Sequence, residues 1–239
     1  MIMRKLVLIL TILALGISAA AQPRTEITEF QKLVGAGTTL VRGEQAEWYG
    51  FPANGTPYWT SAEFFDASIE VQGRTYYDVP VNIDAVTQRA LVRVPGSQMS
   101  VSLAPERVAR IDAGNRIFIG VGEGGPLSEG FYQVFGTGRE KVYKGVRKVL
   151  STSTDNVNGP AIGYYDEHYR YDLTRYFKIR TEYWFCSADG SYERVRNKGA
   201  LLRKFGPRKK ELRKKASAAG IDRLPFEKYC EALLRLAEL

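Results

Sequence analysis

Between Glu63 and Leu103 apolar and polar residues alternate with a period of two, and short Gly or Pro breaks punctuate the run. Phe65, Ala67, Ile69 and Val71 alternate with Asp66, Ser68 and Glu70 before Gln72-Gly73. Tyr77, Val79, Val81 and Ile83 form the next set, then Ala90, Val92 and Val94. Pro95-Gly96 turns the chain into Met99, Val101 and Leu103. Successive strand residues point to opposite faces, so this pattern builds half-buried strands; on a helix the same residues would scatter around the axis. Breaks this short make consecutive strands antiparallel neighbours. Pro80 has no N–H to give a ladder, which predicts an edge strand or a bulge there.

The same reading continues downstream. Ala113-Gly114-Asn115 is a turn and Arg116 to Val121 a strand. Phe131–Phe135 and Lys141–Leu150 flank Gly136-Thr137-Gly138 as a hairpin. Residues 151–160 read as a loop. From Phe177 to Phe185 the odd positions are apolar and predict an inward face, and Asp189-Gly190 turns this strand into Ser191–Asn197. The period then changes. Pro207 suits a first helical turn and Gly220 a helix stop, and Phe226, Tyr229, Cys230, Leu233, Leu236 and Ala237 recur at helical spacing. The expected fold is mainly β, an antiparallel meander of about nine to eleven strands. It would form a curved sheet, a sandwich or a partial barrel, with a C-terminal α-helical hairpin over about 207–239.

Residues 1–21 read as an address. Arg4 and Lys5 precede the uncharged apolar run Leu6–Ile17, and Ala19-Ala20-Ala21 ends it in small residues. The run falls short of the roughly 20 residues that cross a bilayer, so a Sec signal peptide is expected, with an exported chain after it: periplasmic, outer-membrane-associated or secreted. No later stretch is long and apolar enough to span a membrane as a helix. Residues 22–60 form a partly irregular N-terminal segment, in which Ile27, Phe30 and Val34 fit one face of a short helix. Residues 61–239 carry the β-domain and its tail.

Composition excludes several chemistries. One His rules out a multi-histidine metal site, and two Cys rule out a zinc finger or an iron–sulfur cluster. No metal and no cofactor is expected. The net charge of +8 loses Arg4 and Lys5 with the leader and concentrates in the tail. Eight cations lie between Arg203 and Lys215, offset only by Glu211. Arg208, Lys209, Lys210, Arg213, Lys214 and Lys215 are therefore candidates for peripheral contact with an anionic surface, against the alternative of a solvated helix face. Export argues against nucleic acid as the partner. It also places Cys186 and Cys230 where thiols oxidise. A bridge would close a 44-residue loop, worth ~4 kcal/mol in the chain-entropy model; two buried free thiols are the alternative.

Other motifs carry less. Gly120-x-Gly122-x-x-Gly125 follows a strand, but no helical pattern follows it to meet a pyrophosphate, so it reads as a loop. No catalytic residue is assigned: His168 lacks a nucleophile context. Asp78, Asp84, Asp166 and Glu167 are the acids that a two-carboxylate glycosidase could draw on. Tyr176 and Trp184 fall on the charged side of their strand and are candidate ligand contacts.

Gly55–Trp59, Gly73–Asp84, Gly130–Phe135 and Val142–Lys144 together resemble a group of secreted Bacteroidota proteins. The resemblance implies export from a Gram-negative cell and lends no catalytic residues. The leading expectation is an exported non-enzymatic protein that binds a cell-envelope component or a protein partner. Two alternatives stand beside it. One is a periplasmic carrier that holds an apolar ligand against Phe65, Ile69, Val79, Val81 and Phe177. The other is a carbohydrate-active enzyme.

Overall fold

The computed structural model describes residues 39–153 and 174–238. The leader 1–21, the helix expected around Ile27–Val34, the loop at 154–160, and Asp166, Glu167 and His168 lie outside the described residues. The β-reading of the sequence holds. Eleven strands form one antiparallel sheet, ordered β1-β5-β4-β3-β2-β6-β7-β8-β9-β10-β11. They are β1 Glu44–Gln45, β2 Phe65–Val71, β3 Arg74–Asp84, β4 Arg89–Arg93, β5 Ser100–Leu103, β6 Val108–Asp112, β7 Ile117–Val121, β8 Gly130–Phe135, β9 Lys141–Ser153, β10 Thr174–Cys186 and β11 Tyr192–Val195. The sheet is a curved, open one. It consists of two meanders, β2–β5 and β6–β11, joined where β6 returns to the free edge of β2.

Local chemistry sets the register. Gln72 and Gly73 both have positive φ, 51° and 76°, which gives the tight two-residue hairpin joining Val71 to Arg74. Pro80 sits in an interior strand, and a bulge is what accommodates it. Tyr77 and Asp78 together oppose Ser68, and Asp78 takes φ 54°. The β3–β4 ladder begins only at Val81, so the missing N–H of Pro80 breaks no pairing with β4.

The sheet curls until its two halves touch. The N–H of Lys148 on β9 donates to the carbonyl of Ala85 in the β3–β4 turn at 2.9 Å. Gln88 spans the same junction: its amide donates to Ala85 O and Val146 O, and its Oε1 accepts from Phe131 N–H. Inside the curl Ile69, Val81, Ile83, Val92, Ile111, Phe118 and Phe131 form one buried cluster with no exposed surface.

An arm of chain, residues 46–60, crosses the remaining gap. Asn54 pairs with β10, its N–H donating to Arg175 O and its carbonyl accepting from Phe177 N–H. Farther along, Trp59 N–H donates to Ile83 O, and Ala85 N–H donates to Pro57 O. The Trp59 ring then meets Phe118 edge-on at 5.4 Å. The Lys148 ammonium, on a side chain nearly withdrawn from water, donates to the carbonyls of Thr56 and Tyr58 from beneath. Asp84 sits beside it, accepting from the Tyr49 hydroxyl at 2.7 Å and from Val86 and Thr87 N–H. Burial lowers the Lys148 pKa, and the Asp84 charge opposes that shift.

The tail departs from expectation at its start. Helical structure begins at Lys198, not near 207, and three helices follow: α1 Lys198–Lys204, α2 Lys209–Ala218 and α3 Phe226–Glu238. Asn197 caps α1 by accepting from Ala200 N–H at 2.8 Å. Gly220, at φ 66°, ends the second segment in the left-handed conformation. The buried face of α3, Tyr229, Cys230, Leu233 and Leu234, packs with Phe135, Val142, Phe185 and Val195 of the sheet. Each fully buried leucine there contributes about 1.5–3 kcal/mol. Both ends of α3 are tied to the sheet. Glu227 meets Lys144 at 2.7 Å and accepts from the Tyr183 hydroxyl, while Glu238 accepts from Gly138 N–H at 2.7 Å.

Gly120, the first glycine of the GxGxxG match, is a packing residue. A Cβ there would lie 2.1 Å from the Pro105 carbonyl oxygen. Gly120→Ala is expected to destabilise the fold by about 1–3 kcal/mol in urea unfolding. Lys148→Ala leaves the Thr56 and Tyr58 carbonyls without their donor. It should lower stability by about 1–3 kcal/mol and expose residues 46–60 to limited proteolysis.

Candidate functional site

The six tail cations named from sequence do not act as one patch. Arg208 is engaged: it pairs with Glu140, donates to Ala237 O, and stacks its guanidinium 5.5 Å from the Phe205 ring centroid. Lys215 pairs with Glu211 one helical turn away at 2.9 Å. Lys210 and Lys214 are exposed on α2, and no ion pair holds either among the described residues. Lys209 and Arg213 turn the other way, into a cleft between the three helices.

That cleft, about 320 Å³, is lined by four cations. Its size lies at the small end of ligand pockets, roughly 300–1,000 Å³. Positions 209, 213 and 217 follow each other at four-residue steps, so Lys209, Arg213 and Ser217 stack along one face of α2. Arg203 comes from the last turn of α1 opposite, and Lys198 from its first turn. The aromatic ring of Tyr229 lines the cleft from α3. Four cations thus face a single acid, Asp222.

The polar groups divide into committed and uncommitted. Lys198 donates to the Asp222 carbonyl at 2.5 Å and holds its ammonium 5.3 Å from the Tyr229 ring centroid. Ser217 donates its hydroxyl to the Asp222 carboxylate at 2.7 Å. Burial raises the Tyr229 pKa, Asp222 and Cys230 add to the rise, and Arg213 pulls it back. Arg203, Lys209 and Arg213 have no hydrogen-bond or ion-pair partner among the described residues. Three free cations in a concave site attract and orient anions.

Tyr176 and Trp184 do not meet. They share a face of β10 but stand eight residues apart, roughly 26 Å along a strand. Tyr176 lies at the arm junction, with the Lys178 ammonium 5.7 Å from its ring centroid. Trp184 packs into a separate cluster with Leu127, Tyr132, Tyr143 and Cys186, under the loop that follows β7, and its indole N–H is buried without a partner among the described residues. Within the inward set, Phe177 is half-buried and Ile179 is 64% exposed, because the core beneath stops short of them. Of the acids considered, Asp84 is buried in its turn and Asp78 is exposed at the bulge.

The cysteines are both free and buried. Alternation separates them: Phe185 points into the cluster under the helices, and Cys186, one residue on, points to the opposite face. Cys230 lies with Phe185. No family model matches the chain, and no curated protein or solved structure matches it.

The sequence pattern does not single out Lys198, Arg203 and Tyr229: the first two lie on α1, which is not anticipated, and Tyr229 reads as part of the apolar face of the last helix. The cue to α1 was Asn197, a capping residue ahead of Ala200-Leu201-Leu202. Burial pushes the Cys230 thiol from an ordinary value of 9.0 up to about 12. Its contribution to stability is therefore full below pH 9 and lost as pH rises toward about 12, because the unfolded thiol ionises first. A thiol-exchange assay at pH 8 should find neither cysteine reactive in the native protein and both reactive in denaturant.

Proposed function

We propose that this is an exported, non-enzymatic binding protein that engages an anionic component of the cell envelope through its three-helix cap. The observation that carries this reading is the convergence of Arg203, Lys209 and Arg213 on one cleft, with Lys210 and Lys214 exposed on the same helix. The basic face lies on α1 and α2, which pack in one cluster with α3, and α3 is clamped to the sheet at both ends. The leader-like residues 1–21 and the resemblance to secreted Bacteroidota proteins support export. The carrier alternative has less support. Ile69, Val79 and Val81, which would line its cavity, are packed against one another and their neighbours in the main core.

The test is co-sedimentation of the leaderless protein with vesicles. Phosphatidylglycerol vesicles should retain it and phosphatidylcholine vesicles should not, with binding lost as salt rises from 0.05 to about 0.5 M. Each basic side chain near an anionic surface is worth about 1 kcal/mol, so replacing Lys210 and Lys214 together by Ala should weaken binding about 30-fold. Equal binding to both vesicle types would overturn the reading.

A further inference from the structure

The cap presents two kinds of cation, and they suit different tasks. Lys210 and Lys214 are solvated ammoniums on an outer face. Arg203, Lys209 and Arg213 lie in a cleft with a tyrosine ring beside them and their only acid, Asp222, already bonded to Ser217. Resting on the reading of the cap as an anion-binding face, we infer that this cleft is a pocket for a single phosphate group, with Arg203 and Arg213 gripping it from opposite helices and Lys209 adding charge.

Charge selects phosphate over carboxylate. A phosphate monoester carries about −1.5 to −2 at neutral pH and offers three acceptor oxygens. One carboxylate would leave most of the pocket charge unanswered. The planar guanidinium fork matches pairs of phosphate oxygens, and two forks set on facing helices hold a tetrahedral group from two sides. The volume of about 320 Å³ leaves room for whatever carries the phosphate. Free phosphate and the phosphate of a lipid headgroup share this chemistry.

Inorganic phosphate is the probe, titrated into the leaderless full chain and followed by calorimetry, with acetate at the same ionic strength as control. Phosphate should bind and acetate should not. Arg203→Gln and Arg213→Gln should each weaken phosphate binding about tenfold or more. Arg213→Lys should fall between wild type and Arg213→Gln, which separates a lost fork from a lost charge. An Arg110→Ala variant, at an exposed position on β6 outside the cap, should bind phosphate unchanged. All four changes are at exposed positions, and circular dichroism melts check that each variant folds. If phosphate also competes the protein off phosphatidylglycerol vesicles, the pocket takes a lipid headgroup. If phosphate binds without competing, the pocket takes a free phosphate compound. Absence of phosphate binding, or binding indifferent to Arg203→Gln and Arg213→Gln, overturns the pocket. Vesicle binding that still depends on Lys210 and Lys214 would then leave the anionic-surface reading standing by itself.

Discussion

A single buried ammonium ties the arm to the sheet. Lys148 comes from the middle of β9 and ends against the carbonyls of Thr56 and Tyr58, on a stretch of arm that no regular ladder holds. Removing an ammonium from water is costly unless hydrogen bonds and opposite charge replace the solvent. Here two carbonyls do the first and Asp84 does the second. The same contact orders the surroundings. With residues 56–58 fixed, Trp59 enters the core, Pro57 receives Ala85 N–H, and the Asp84 turn meets β9. Beside β10 the arm is held separately, by the two backbone hydrogen bonds of Asn54.

This arrangement explains where the chain was legible and where it was not. The alternation predicted β2, β3 and β4, and β2 keeps one face on the main core throughout. In β3 the bulge at Asp78 shifts the parity, so Tyr76 is buried in place of Tyr77, and Asn82, Asp84 and Leu91 are buried on the other face as well. The alternation failed at Ile179, whose parity is right but whose strand runs past the edge of the core. It missed β6, where Ala109 and Arg110 are exposed in succession and blur the period. Helix α1 was hidden by its shortness. Seven residues with two buried leucines leave little periodicity to read. That omission propagated to the site. A run of eight cations is plain in the sequence, but which of them share a cleft depends on α2 register and on the unforeseen wall opposite.

The molecule divides its chemistry by region. The buried charged and amide groups, Asn82, Asp84, Gln88, Gln133 and Lys148, belong to the sheet, and Asp84, Gln88 and Lys148 serve closure. In the cap, Leu212 and Ala216 anchor α2, while Lys209, Lys210, Arg213 and Lys214 carry no ion pair among the described residues. Only Arg208, through Glu140, ties a tail cation to the β8–β9 connection. Among the described residues, the basic side chains of the cap make no hydrogen bond to the arm, and the arm bonds to the sheet and not to the helices.

The span of the Lys148 contact sets an order of events. Its partner carbonyl at Thr56 lies 92 residues away, so this contact cannot form before β9. Contacts of such separation are made late, after the local hairpins have nucleated the sheet. The bonds of the arm to Ile83 and Ala85, and the pairing of β1 with β5, span less chain and need only the first meander. The Lys148 ammonium therefore locks down an arm whose nearer attachments are available before it.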